Sequence, residues 1–372
     1  MKKFFALFLI MTLLLEGCWD QKVYEKTGFI LQVGIEASSK DNNLLISYSD
    51  PVVEPDSKEQ VEVIYSDEEN LLREFREDSR KISAKLLEGG KIQQVLISSS
   101  LAEKGINNLL EVFEREPTIP VIARLVITDG SPKELIEKAQ TFGDKPRPAF
   151  YVHQLIDNNI AESYVPQMEI SQFTTQYYSP GLDPIVPLVK LEFHKGKGIE
   201  VEGAALFSSD KMVGKINTWE TVLLISMMGK LKSSVYINKS IADPGYNNGK
   251  RGCAFNISKA KRKLKVQVVN NAPVVNISLK FNGVMKELYW NGIKDLSSQK
   301  SIENLLANEI KKNCEHIIEY TKSVRCDCLG IGDYVRAKYN PYWQKIEWND
   351  VYPFVKFNID VNVNITNYGV IH

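Results

Sequence analysis

Eleven residues near the C-terminus alternate without a break. Val355, Phe357, Ile359, Val361, Val363 and Ile365 are apolar, and Lys356, Asn358, Asp360, Asn362 and Asn364 stand between them. Residues two apart share a side only in an extended strand. The segment therefore predicts a strand with one wet and one buried face. Six apolar side chains on an open face would invite aggregation, so the chain must supply a matching apolar surface. Ile302, Leu305, Leu306, Ile310, Cys314, Ile317 and Ile318 recur at a helical period and supply one part of it. Cys253–Ser258, Leu264–Val269 and Val274–Phe281 supply the rest. They read as an antiparallel meander with turns at Lys259–Lys263, Asn270-Asn271 and Asn282-Gly283.

Upstream, strand and helix patterns alternate. Gly28–Ile35 and Leu44–Tyr48 are strand-like. Ser66-Asp67-Glu68-Glu69 has the spacing of a capping box ahead of a helical period at Leu72, Phe75, Ser79, Ile82 and Leu86, which Gly89-Gly90 ends. Val95–Ile97 and Val121–Ile127 read as strands around a helix over Leu101–Phe113, with Ile106, Leu109, Leu110 and Phe113 inward. Ser131-Pro132-Lys133-Glu134 opens another helix, with a second capping box and proline at its first position. Prolines punctuate Phe142–Asp183, which suits a linker carrying short helices. Pro187–Phe193 and Ile199–Phe207 are strands around the Lys195–Gly198 turn, and Thr218–Gly229 is an apolar helix. The fold class is α+β: three consecutive mixed domains, each a small, mainly antiparallel sheet packed with helices. After residues 1–17 the domains are expected at 18–145, 146–245 and 246–372.

Lys+Arg and Asp+Glu both number 46 in the 372 residues. Zero net charge argues against a nucleic-acid partner and against membrane binding by charge alone. Four widely spaced histidines make a multi-histidine metal site improbable. His-Glu-x-x-His, Gly-x-Ser-x-Gly and Walker-type phosphate loops are all missing. No enzyme, no cofactor and no catalytic or metal-binding residue is expected.

The N-terminus carries Lys2 and Lys3, then the apolar run Phe4–Leu15. Twelve residues are too few to cross a bilayer as a helix and fit the core of a secretory signal peptide. Leu15-Glu16-Gly17-Cys18 resembles the lipobox of bacterial lipoproteins, with Glu16 departing from the usual small or aliphatic residue. Cys18 is thus the expected lipidation site. Cleavage before it leaves 44 basic and 45 acidic residues. No second apolar stretch is long enough to span a bilayer, so a lipid-anchored body in water is expected.

Lys259, Lys261, Arg262, Lys263 and Lys265 form the densest basic run. It reads as a solvated hairpin tip, with attraction to anionic phospholipid as the alternative. Of the remaining cysteines, Cys314 reads as a small core residue. Cys326-Asp327-Cys328 is too closely spaced for a zinc knuckle. An exported location permits a disulfide, with Cys314 to Cys326 or Cys328 conceivable, and the sequence leaves the pairing of these and Cys253 open.

Taken together these residues resemble the C-subunit lipoproteins of nutrient germinant receptors in endospore-forming bacteria. The resemblance runs through Gly17-Cys18-Trp19-Asp20, Gly28–Ile35, Arg80–Ile97, Leu101–Ile106, Glu202–Phe207 with Lys211–Gly214, and most specifically Asp327-Cys-Leu-Gly-Ile-Gly332, Trp343, Trp348 and Val361–Ile365 before Gly369. Cys326 and Cys328 around Asp327 depart from the family pattern. The resemblance implies three α+β domains and a non-catalytic receptor subunit. It implies a protein lipid-anchored to the outer face of the spore inner membrane, working with two polytopic membrane subunits, A and B. Whether it touches the nutrient itself stays open. The alternative is a substrate-binding lipoprotein of a transporter, which would show two similar α/β lobes.

Overall fold

The computed structural model describes residues 26–38, 43–52, 61–69, 72–143, 147–192, 198–239, 252–288 and 295–367. Its first part contains β1 (Thr27–Phe29), β2 (Gln32–Ala37), β3 (Leu44–Val52), β4 (Val61–Glu69), α1 (Leu72–Ile82), β5 (Leu86–Glu88) and β6 (Gln94–Ser98). Next come α2 (Ser99–Ala102), α3 (Asn107–Arg115), β7 (Arg124–Thr128), α4 (Pro132–Ala139), α5 (Pro148–Ala161) and α6 (Ile170–Tyr177). Strands β8 (Ile185–Glu192), β9 (Gly198–Ser208) and β10 (Lys211–Asn217) lead into α7 (Thr218–Met228). The C-terminal part holds β11 (Ser234–Asn238), β12 (Cys253–Val269), β13 (Ala272–Leu288), α8 (Leu296–Ser323), α9 (Ile331–Lys338), α10 (Asn340–Trp343), α11 (Trp348–Val351) and β14 (Lys356–Asn367). Among the described residues no helix is long and apolar enough to cross a membrane.

Eight strands form one mixed sheet in the order β10-β9-β8-β7-β6-β2-β3-β4. β8 pairs in parallel with β7 through Ile127↔Leu188 and Thr128↔Val189. Strands from both sides of the boundary expected at 145 and 146 therefore lie in one sheet. The proline-rich stretch between them is filled by α5 and α6, which bury Val152, Ile156, Ile170 and Phe173. The boundary expected at 245 and 246 lies outside the described residues. However, β11, expected in the second unit, pairs with β12 in the second sheet, ordered β11-β12-β13-β14.

Strands β8 and β9 serve two cores at once. Ile185, Ala204 and Leu206 join the C-terminal core, while Val186, Ala205 and Phe207 join the N-terminal one. Neighbouring residues of a strand point to opposite faces, so the resembled stretch Glu202–Phe207 is a wall between two apolar interiors.

Elements with an uninterrupted periodicity form as the sequence predicts. β14 buries Ile359, Val363 and Ile365, with Phe357 and Val361 half-buried, and Val355 just before it is fully buried. α8 presents Ile302, Leu306, Ile310, Cys314, Ile317 and Ile318 to it. β14 joins β13 in parallel, because the 28-residue α8 forms part of the crossover that returns the chain to the same end of the sheet. The C-terminal sheet is therefore mainly antiparallel, as expected, with one parallel pair between β13 and β14. Ser131 caps α4 by accepting from the Glu134 amide at 3.1 Å.

Elsewhere the structure corrects the sequence reading. Ser66–Glu69 does not cap a helix: the segment is the end of β4, its backbone taken up by the ladder to β3 from Val52↔Val61 to Leu44↔Glu69. α1 stops at Ile82, and Leu86–Glu88 becomes β5, parallel to β1, with Leu87 fully buried. The helix expected over Leu101–Phe113 is two helices, parted at Gly105, whose φ of +111° no helix accommodates. β12 runs through Lys259–Lys263 without a turn. A bulge between Ile257 and Lys259 shifts its register by one residue. Cys253, Phe255 and Ile257 face inward before the bulge, and Leu264 and Val266 after it, so the apolar phase slips where the sequence predicts a turn. The true turn is Asn270-Asn271, with φ of +49° and +62°, the type I′ pattern. Gly283, expected in a turn, lies within β13 and allows Asn256 of β12 to approach closely.

Candidate functional site

The stretch singled out near the C-terminus folds around one buried carboxylate. After α8, Arg325 takes a left-handed conformation (φ +55°), and the Cys326 amide returns to the Thr321 carbonyl at 2.9 Å. This sharp end buries Cys326, Asp327 and Cys328 together. Asp327 Oδ1 accepts from the Ile331 amide at 3.0 Å, and Oδ2 accepts from the Gly332 amide at 2.7 Å and from Trp348 Nε1 at 2.9 Å. The carboxylate thereby caps α9, where backbone donors and the helix dipole favour a negative charge.

A segment 144 residues earlier docks on this cap. The Asp327 amide donates to Asp183 Oδ2 at 2.7 Å, and the Asp183 amide donates to the Asp327 carbonyl at 3.0 Å. Asp183 Oδ1 accepts from the Ser209 amide at 2.8 Å, tying the end of β9 to the same point. Ser179 Oγ bonds both Asp333 carboxylate oxygens, at 3.0 and 2.9 Å. The two backbones meet at Gly181 and Gly332. A Cβ at Gly181 would lie 2.3 Å from the Asp333 amide nitrogen, and one at Gly332 would lie 2.5 Å from Trp348 Nε1. Neither position tolerates a side chain. Trp343, Trp348 and Tyr352 stack along the far side, with ring centroids 5.6 and 6.2 Å apart, and the Tyr352 hydroxyl meets Thr321 Oγ1 at 3.1 Å.

Burial pushes the Asp327 carboxyl up to about 7, against the three donors that favour its ionised form. Burial likewise raises Asp183 and holds the Cys326 thiol well above its ordinary value, with its neighbour Cys328 adding to the effect. Cys314 is pushed up to about 12 and Cys253 to about 11 by the same cause. All four thiols are free and buried, so the disulfide considered from Cys314 to Cys326 or Cys328 is not formed. Neutral, enclosed thiols are poor nucleophiles. A carboxylate enclosed by three N–H donors has no open side from which to take a substrate proton. The arrangement is a joint that fixes the middle of the chain to its C-terminal part.

A separate cleft of about 590 Å³ lies between α6 and α7, with Met168, Ile185, Ile225 and Met228 among its apolar lining and Lys230 and Lys232 beside them. Among the described residues no three His, Cys, Asp or Glu side chains gather to hold a metal. Cys18, the apolar run Phe4–Leu15, Gly17–Asp20, Lys195–Lys197 and Gly369 lie outside the described residues. Sequence reading finds Asp327, Gly332 and Trp348 but misses Ser179, Gly181 and Asp183, whose Pro180-Gly181 dipeptide suggests only a turn.

Residues 20–191 match the family model described as the spore germination protein N-terminal domain. Residues 202–369 match the one described as spore germination B3/GerAC-like, C-terminal. The chain is 24% identical to spore germination protein GerQC of Bacillus cereus, over 99% of each chain. It is 23% identical to spore germination protein B3 of Bacillus subtilis strain 168, over 99% of this chain and 98% of the relative. The crystal structure of the GerBC protein superposes with a TM-score of 0.59 at 20% identity, covering 90% of this chain and 97% of that one.

Proposed function

We infer that this chain, which belongs to the GerAC-like family of spore germination proteins, serves as the C subunit of a nutrient germinant receptor. The observation that carries the reading is the order and reach of the two family models, which together run from residue 20 to residue 369. Its role is non-catalytic. The Asp327 joint supports this, since its groups are spent on holding two stretches of backbone together. The shared wall of β8 and β9 is also unlike the two similar lobes that a transporter's binding lipoprotein would need.

In this reading Cys18 carries a diacylglycerol and holds the body at the outer face of the spore inner membrane. Two lipid chains suffice for stable anchoring where one does not. The chain then acts beside two polytopic membrane subunits, A and B. The test is genetic and biochemical. Spores lacking the chain should fail to release dipicolinate on nutrient yet respond to a trigger that bypasses nutrient receptors. The tagged chain should co-purify with two polytopic proteins from spore inner membranes. Normal nutrient germination without it, or co-purification with a transport ATPase instead, would overturn the reading.

A further inference from the structure

Among the described residues, the C-terminal sheet packs one face on α8 and leaves the other open. Paired residues of adjacent strands share a face, so the register lays out that surface row by row. Lys265 lies beside Asn276 and Asn358, Lys263 beside Ser278 and Asp360, Lys261 beside Lys280 and Asn362, and Lys259 beside Asn282 and Asn364. Lys356 opens the next row beside Val274. The bulge after Ile257 creates this surface: without the one-residue slip, Lys259, Lys261, Lys263 and Lys265 would continue the inward phase of Phe255 and Ile257.

Lys259, Lys261, Lys263, Lys265, Lys280 and Lys356 are all exposed, and Asp360 is the single acid in these rows. None of the six ammonium groups forms an ion pair among the described residues. In a chain with equal numbers of basic and acidic residues, such a face is a local excess balanced elsewhere. Asn358 donates to Asn276 at 2.9 Å and Asn364 to Asn282 at 3.2 Å. These amides tie the strands to one another and leave the lysines as the groups that reach outward. Along β12 the lysines recur about every 6.6 Å, a regular array of flexible point charges.

The rows contain no Arg, Trp or Tyr. Those residues anchor protein interfaces, from which lysine is depleted. Lysine instead suits a diffuse field of phosphates, because its compact charge needs no fixed geometry. We propose that this open face of the C-terminal sheet docks onto an anionic phospholipid surface, with the β12 lysines facing the headgroup phosphates. The contact is additional to any lipid on Cys18 and does not depend on it.

The test uses the full chain carrying Cys18→Ala, sedimented with vesicles of phosphatidylcholine alone or mixed with phosphatidylglycerol. The N-terminal run with Lys2 and Lys3 is common to every variant, so the readout is the change in preference between variants. Binding should favour the anionic vesicles at low salt and lose that preference in 1 M salt, where the screening length is about 3 Å. Each lysine removed should lower the preference roughly five-fold. Lys259→Gln, Lys261→Gln and Lys263→Gln together should thus lower it on the order of 100-fold. Asp360→Lys should raise it. Lys300→Gln, Lys311→Gln and Lys312→Gln, exposed on α8, remove the same charge elsewhere and should leave it unchanged. Equal unfolding midpoints would verify that the variants fold. No preference for anionic vesicles, or an equal loss in the α8 variant, overturns the proposal. Retention on an acidic polypeptide without any vesicle preference also overturns it and assigns the face to a protein.

Discussion

Replacing Asp327 by asparagine keeps the shape of the joint and changes its chemistry. An amide oxygen can replace one carboxylate oxygen, but the amide nitrogen cannot accept. With the oxygen placed toward Gly332 and Trp348, the Ile331 amide loses its Asp327 acceptor. An orphaned buried donor costs about 1–3 kcal/mol. The dependence on pH is more diagnostic. Asp327 titrates near 7 in the folded protein against an ordinary value of 3.8. Between those values the folded state holds a proton that the unfolded state has released. This contribution to stability is therefore full below about pH 4 and is lost as pH rises to about 7. At 1.36 kcal/mol per unit, the whole window is worth on the order of 4 kcal/mol. The substituted asparagine has no proton to hold, so subtracting the stability of Asp327→Asn cancels the other titrating groups. Urea unfolding of both proteins, followed by tryptophan fluorescence from pH 5 to 8, reads this difference. The wild-type advantage should shrink by roughly 1.4 kcal/mol per unit up to pH 7 and then level off. An advantage that is constant or grows with pH would mean that the three N–H donors outweigh burial, and the reasoning fails.

A palmitate analogue should label the wild-type chain and not Cys18→Ala; equal labelling of both refutes the lipobox reading. Truncation before Tyr352 removes the buried Val355, Ile359, Val363 and Ile365. At about 1.5–3 kcal/mol each, against ~5–15 kcal/mol for a whole domain, their loss should abolish the cooperative melting of the C-terminal part. Deleting only Val370–His372 should be tolerated, and a truncated chain that still melts cooperatively would show β14 to be peripheral. In the Cys18→Ala protein, a thiol reagent at pH 8 should leave Cys253, Cys314, Cys326 and Cys328 untouched until denaturant is added; rapid labelling of the native protein contradicts their burial.

The parts of the fold legible in the sequence are those whose signal is local and periodic. The stripe of α8 and the alternation of β14 each repeat with the geometry of their own element, so both appear in order on the page. β12 is misread because its alternation changes phase at Ser258, and a dense run of lysines at a phase change looks like a turn. Ser66–Glu69 carries a valid local capping pattern, which a nine-residue ladder to β3 overrides. The parallel pairing of β7 with β8, and the meeting of Asp183 with Asp327, join residues far apart in the chain and leave no mark on either neighbourhood. The Asp327–Gly332 stretch is visible by resemblance, but its partner segment is not. Charge balance misleads in a similar way: a whole-chain count of zero averages away the open lysine face of the C-terminal sheet.

The double-faced strands β8 and β9 also set where this protein can be cut. A fragment ending before Ile185 would expose Phe173 and Leu125, which pack with Val186, Leu188, Ala205 and Phe207 in the N-terminal core. A fragment beginning after Ser208 would bare Leu223, Leu279 and Phe281, which pack with Ile185, Ala204 and Leu206. Each half needs the same two strands, and only one can have them. Expression of either half alone should therefore give sticky, poorly soluble material, whereas two halves divided at a single cut, so that one of them carries both strands, should recover one another by complementation when produced together. A substitution at Ala204 or Ala205 meets the same constraint, since movement of the wall to relieve one side compresses the other.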